Sequence, residues 1–271
     1  MNGNVQRNII IAPKRIVCLS AEAADWLWRI GAWERVVGTT AFFKSLPNVA
    51  PKPRISGFST AQFDEIADLH PDLIITFSDV QAPLAAELMR RGFAVLATNQ
   101  RTLEEIEATL ALLGRIVGCE AEAEGWLSEF RQRLNPVEEL QFRPRIYFEE
   151  WNEPLIAGIA WVSELIERAG GEDIFADLRS KRAASERVVS SEEVCRRNPE
   201  VIFASWCGRA VRIQDIRARQ GWEELLAVRE HQVYEIDGGD ILQPGFRLVH
   251  GYERIKQCLD SYSPSSSNAD I

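Results

Sequence analysis

Apolar residues along this 271-residue chain fall into short uninterrupted runs separated by amphipathic stretches. Residues 15–20 (RIVCLS), 36–40 (VVGTT), 73–76 (LIIT) and 94–97 (AVLA) read as strands. Continuous apolar runs suit parallel strands covered on both faces. Between them, 22–30, 64–69 and 82–91 read as helices, with Gly31 and Gly92 stopping the first and the last. Leu103, Ile106, Leu110, Leu113, Ile116 and Val117 recur at helical spacing and predict a helix that ends at Gly118. Residues 119–141 differ: apolar positions are sparse, charges are abundant, and Pro136 should end the helix. The strand-and-helix alternation then restarts at 145–148 (RIYF). It continues with helices at 161–169 and 192–197, a strand at 201–205, the segment 222–226, a strand at 233–236 and a last helix at 247–259. The Ser/Asn-rich stretch 261–271 reads as a frayed tail.

One pattern occurs twice. Residues 67–79 (ADLHPDLIITFSD) and 196–208 (RRNPEVIFASWCG) are each a helix end, a proline–acidic turn and an apolar strand opening into a loop. Seven positions before Pro71 and Pro199 stand the carboxylates Asp64 and Glu192. The duplication predicts an α/β chain of two lobes, each with a parallel sheet flanked by helices, joined by one long helix. The expected divisions are an N-terminal lobe at 14–118, a connecting helix at 119–141, a C-terminal lobe at 142–260 and the tail. A single doubly wound sheet is the alternative. Two lobes make a cleft, and clefts at domain interfaces favour ligands.

Charge and composition narrow the function. A net charge of −9 argues against a nucleic-acid or anionic-membrane partner, either of which needs a basic face. Five cysteines without a CxxC pair suit free thiols in a reducing compartment. The apolar run at 9–12 is cut off by Pro13 and Lys14, short of the roughly seven to fifteen residues of an export signal. Both features favour a cytoplasmic location. Three histidines without HxxxH or Cys/His clustering predict no metal site, and no phosphate-binding glycine motif follows a strand.

In α/β lobes, ligands meet the loops that follow the strands. Those loops carry Glu22, then Phe42 and Phe43, Phe58, and Phe77 with Ser78 and Asp79 in the first half. In the second half they carry Glu149, Glu150 and Trp151, then Trp206, Cys207 and Arg209, then Gln243, Phe246 and Arg247. Rings recurring at strand ends suit a wide planar or amphipathic ligand, with packing as the competing role. Glu149 and Glu150 could take a ligand's hydrogen bonds or pair with Arg209 or Arg247. Cys207 invites a nucleophile reading, but no Cys–His signature accompanies it. Asp64 and Glu192 suit either the helix dipole or a symmetric partner that presents arginines.

The segments RIVCLS, VVGTT and ISGFSTAQFDEIADLHPDLIITFSD, with YFEEWNEPLIAGIAWVSELIERAGGEDIF, VVSSEEVCRRNPEVIFASW and VYEIDGGDILQPGFRLV, carry a resemblance. Over about residues 14–260 the chain resembles the helical-backbone substrate-binding proteins of ABC importers, the class that captures cobalamin and iron–siderophore complexes, and is most similar to the cobalamin-binding branch. The resemblance implies two α/β lobes, one long connecting helix and ligand capture without catalysis. The cleft aromatics then fall at Phe42 or Phe43, Phe58 and Phe77, where that branch carries tryptophans. Asp64 and Glu192 fall where its carboxylates meet arginines of the permease. The implied protein is a monomer whose partners are a corrinoid or other metal chelate and an ABC permease. It has no resident cofactor, since any cobalt or iron arrives with the ligand. The family is periplasmic, against the cytoplasmic reading of the residues. Two alternatives are a cytosolic sensor or buffer of the same ligand, and an enzyme using Cys207 or Glu149/Glu150.

Overall fold

The computed structural model describes residues 12–44, 49–57, 59–137 and 142–262. Contacts divide the chain into two compact units, residues 1–99 with 109–126 and residues 100–108 with 127–271. The first contains β1 (Ile16–Cys18), α1 (Ala21–Arg29), β2 (Val36–Thr40), β3 (Arg54–Ser56), α2 (Phe63–Asp68), β4 (Leu73–Phe77), α3 (Ala82–Arg90) and β5 (Val95–Thr98). Then come α4 (Leu103–Val117) and α5 (Glu120–Arg133), each contributing residues to both units. The second unit holds β6 (Arg145–Asn152), β7 (Leu155–Ala157), α6 (Ala160–Arg168), β8 (Glu172–Asp173), α7 (Ser191–Arg197) and β9 (Val201–Ala204). It ends with α8 (Ile213–Arg217), α9 (Leu226–Arg229), β10 (Val233–Glu235), α10 (Gly238–Ile241) and α11 (Leu248–Asp260).

The α/β class with two sheet-bearing units is the one the duplication predicts. The first sheet runs β3-β2-β1-β4-β5 with every pairing parallel. One of its faces packs Val17, Leu19, Ile55, Ile66, Ile74, Leu84 and Leu88 into a core. Gly38 lies in this layer because a Cβ there would come within 2.7 Å of Leu69 Cδ1. The second sheet runs β10-β9-β6-β7, with β8 beside the start of β6. It is parallel except for β7, which returns antiparallel to β6 with Asn152 opposite Leu155. A two-residue connection can close a hairpin, whereas a parallel neighbour needs a long crossover.

The repeated proline turn has one construction in both units. The residue before each proline, His70 after α2 and Asn198 after α7, has positive φ (45° and 44°). The acid that follows reaches back to the start of its unit's first strand. Asp72 accepts the N–H groups of Lys14 (2.7 Å) and Arg15 (2.9 Å), and Glu200 accepts that of Arg145 (2.8 Å). The Arg15 Nε donates to the Leu69 carbonyl at 2.9 Å, and the Arg145 Nε to that of Asn198 at 3.1 Å. The acidic residue of the motif is therefore a clamp that sets where each central strand begins.

Candidate functional site

In the first sheet the chain leaves β1 towards β2 and β3 on one side and later adds β4 and β5 on the other. The carboxyl ends of β1 and β4 thus form the switch point at which doubly wound sheets take ligands. Gln81 knits that point together: it accepts the Phe77 N–H at 2.9 Å and donates to the Leu19 carbonyl at 3.1 Å. Phe77 is buried beneath it. Phe43 is buried with its ring 5.3 Å from that of Trp33, whereas Phe42 on the same loop is exposed at 39%. Phe58 lies outside the described residues.

Glu22, in the first turn of α1, stands at the same end of β1. It is 7% exposed, and its Oε1 has no hydrogen-bond partner among the described residues. Burial pushes the Glu22 carboxyl up to about 7, against its own backbone N–H and the buried Ser20 hydroxyl, which would lower it.

The second unit carries more charge at its strand ends, and that charge is matched. Glu149, Glu150 and Trp151 lie within β6 rather than on a loop after it, because the strand runs on to Asn152 to pair with β7. Glu149, fully buried, takes a bidentate pair from Arg219 (2.5 and 2.8 Å) and the indole N–H of Trp206 at 3.0 Å. Glu150, on the opposite face of the strand, pairs with the buried Arg187 at 2.6 and 3.0 Å. Pairing with Arg209 or Arg247 is one of the two readings the sequence offers for these acids. Both arginines are engaged elsewhere: Arg209 lies 5.6 Å over the Trp206 ring, and Arg247 bonds Asp240 and the Gly239 carbonyl. Arg187 and Arg219 reach the strand from 37 and 70 residues away, and only the fold brings them there.

Among the other ring positions, Trp206 belongs to the core of this unit with Tyr147, Trp222 and Phe175. Phe246 is buried with its ring 5.9 Å from that of Phe130. Trp151 is half-buried and donates its indole N–H to the Glu153 carbonyl at 2.9 Å. Gln243 and Arg247 are half-buried, and Cys207 and Arg209 are exposed. The Cys207 thiol is nevertheless pushed above its ordinary value, first by desolvation and then by Glu150, so it is a poor nucleophile. Among the described residues no group of three or more His, Cys, Asp or Glu side chains could hold a metal ion. No helix there is long and apolar enough to cross a membrane.

Asp64 and Glu192 are each the second residue of their helix, α2 and α7. The Asp64 side chain is fully exposed and meets Arg91 at 3.3 Å. Glu192 is exposed, and its carboxyl is lowered by its own backbone N–H and then by Ser190. Sequence reasoning placed Glu22 on a strand-end loop without giving it a role, and it missed Arg187 and Arg219. An acid directly after an apolar run, with no base nearby in sequence, was the available signal for Glu22. Nothing local marks the two arginines.

A family model described as "Periplasmic binding protein" matches residues 16–238. The vitamin B12-binding protein of Vibrio cholerae is 26% identical over 249 residues, covering 89% of this chain and 87% of that protein. The uncharacterized ABC transporter substrate-binding lipoprotein YvrC of Bacillus subtilis is 22% identical over 260 residues, 91% of this chain and 80% of the relative. Among solved structures, the periplasmic vitamin B12 binding protein BtuF of Vibrio cholerae aligns with a TM-score of 0.68 and 24% identity, covering 92% of this chain and 97% of that one. The apo heme-binding protein RhuT of Roseiflexus sp. RS-1 gives 0.76 and 17%, covering 90% and 97%. These structural likenesses are likenesses of fold.

Proposed function

Because the chain belongs to the periplasmic binding protein family, we propose that it captures a corrinoid, or failing that another metal chelate, and delivers it to an ABC permease. The observation that carries the choice of ligand is the similarity to vitamin B12-binding proteins, which spans most of both chains. The strand-end chemistry supports it. Phe42, Trp151, Gln243, Arg209 and Arg247 present ring, amide and guanidinium groups that are exposed or half-buried, as a large amphipathic ligand requires. The buried Glu149, Trp206, Phe43, Phe77 and Phe246 hold those loops in place. Asp64 and Glu192 are the proposed contacts to the permease. Capture without transformation fits a site whose carboxylates Glu149 and Glu150 are neutralised by arginines and whose exposed thiol is raised.

Titration of the purified protein with cyanocobalamin, hemin and a ferric hydroxamate, read by calorimetry and melting temperature, tests the reading. Saturable one-to-one binding of cyanocobalamin with a rise in melting temperature is expected, because a ligand that binds only the folded state stabilises it. Saturation by hemin or the hydroxamate alone would move the assignment to that chelate. No shift with any of the three would reject the proposal.

A further inference from the structure

The two units end their first strands differently. In the second unit each acid of the central strand β6, Glu149 and Glu150, has its own guanidinium. In the first, Glu22 follows the central strand and is as deeply placed, yet one of its oxygens is unpartnered. Two residues earlier the buried Ser20 hydroxyl lies beside the same carboxyl and favours its charged form. Leaving a buried carboxyl oxygen without a partner is costly, so this one, at the switch point of a sheet, marks a place where a polar group from outside completes the structure.

We propose that Glu22 is a specificity-determining residue of the ligand site, its carboxyl, with the Ser20 hydroxyl, hydrogen-bonding a carboxamide of the ligand and disfavouring a carboxylate in the same place. This rests on the reading of the chain as a corrinoid or chelate binder. A primary carboxamide carries both an N–H donor and a carbonyl acceptor. It satisfies Glu22 in either protonation state, accepting from the acid or donating to the carboxylate. A carboxylate can only accept, so it bonds the protonated acid but is repelled by the ionised one in a poorly solvated place. Corrinoids carry carboxamides around the ring, whereas heme carries carboxylates. With burial holding Glu22 up to about 7, both of its forms are present near neutrality, and only the amide suits both.

The test uses two ligands with one ring: dicyanocobinamide, which carries amides, and dicyanocobyrinic acid, which carries carboxylates in their place. The wild-type protein at pH 7.5 is expected to bind the amide form at least about tenfold more tightly. Glu22→Gln, isosteric and uncharged, is expected to gain about tenfold for the acid while changing about threefold or less for the amide. Equal wild-type affinity for the two rings would overturn the inference whether or not the variant folds, as would a preference that Glu22→Gln leaves unchanged. If neither ring nor any other chelate binds the wild type, the proposed function itself fails. That result is distinct from binding without discrimination, which removes only the role of Glu22.

Discussion

Whether a buried carboxylate stabilises its unit depends on what faces it. Glu149 is fully buried between Arg219 and the Trp206 indole. Glu149→Ala strands the guanidinium and the indole N–H, so urea unfolding should show a loss of about 3 kcal/mol. Replacing the pair together, as Glu149→Leu with Arg219→Met, should cost clearly less, because no orphaned charge remains. Glu22 works in the opposite direction. Its carboxyl is raised from 4.5 to about 7 in the folded protein, which therefore binds more protons than the unfolded chain across that window. Stability must then fall as pH rises from about 4.5 to about 7 and lose nothing further from this group above it. Glu22→Gln lacks this term. Its melting temperature should gain on the wild type as pH rises from 5 to 7 and hold a constant lead from 7 to 8.5. A lead independent of pH would show that Glu22 is ionised throughout.

The proline–acidic turn is one element built twice, and the two copies differ in burial. Asp72 is exposed and caps two backbone N–H groups, whereas Glu200 is buried while accepting from Arg145. Asp72→Ala should cost about 1 kcal/mol and Glu200→Ala about 2 kcal/mol in chemical denaturation, because only Glu200 is buried, so water replaces its hydrogen bond less readily. The copies were legible in the sequence because proline, an acid and an apolar run are local signals. Strand β4 begins where the run 73–76 begins, and α4 matches the spacing from Leu103 to Val117 and stops at Gly118, whose φ is 66°. The helix at 119–141 is realised as Glu120–Arg133, short of Pro136. What did not show was whatever depends on distant partners. β7 is three residues long, too short for a period to declare it, and it exists only because β6 offers an edge. For the same reason the strand-end aromatics could not be sorted from sequence. Phe42 and Phe43 are neighbours, yet one is exposed and the other packs on Trp33.

At the scale of the whole molecule, the duplication puts one exposed carboxylate at the same place on an equivalent helix of each unit. Asp64 and Glu192 both precede their proline by seven residues and sit second in α2 and α7. Among the described residues Asp64 meets only the partly exposed Arg91, so the proposed docking role can be tested by charge reversal. Reversing both to lysine should cost about 1–2 kcal/mol in total, since each sits in the first turn of its helix, where the macrodipole favours an acid over a cation. Ligand affinity should be unchanged. Association with the permease, measured by surface plasmon resonance on reconstituted nanodiscs, should weaken at least about tenfold, and the difference from wild type should shrink as salt is raised. Net charge alone is a competing cause, because the chain carries −9 and steering follows the total field. The matched control is Glu104→Lys with Glu224→Lys, two other exposed acids reversed to give the same total charge. A docking role requires the first pair to lose association while the control keeps it. Equal loss in both would assign the effect to the field of the molecule and leave Asp64 and Glu192 as ordinary helix-start acids.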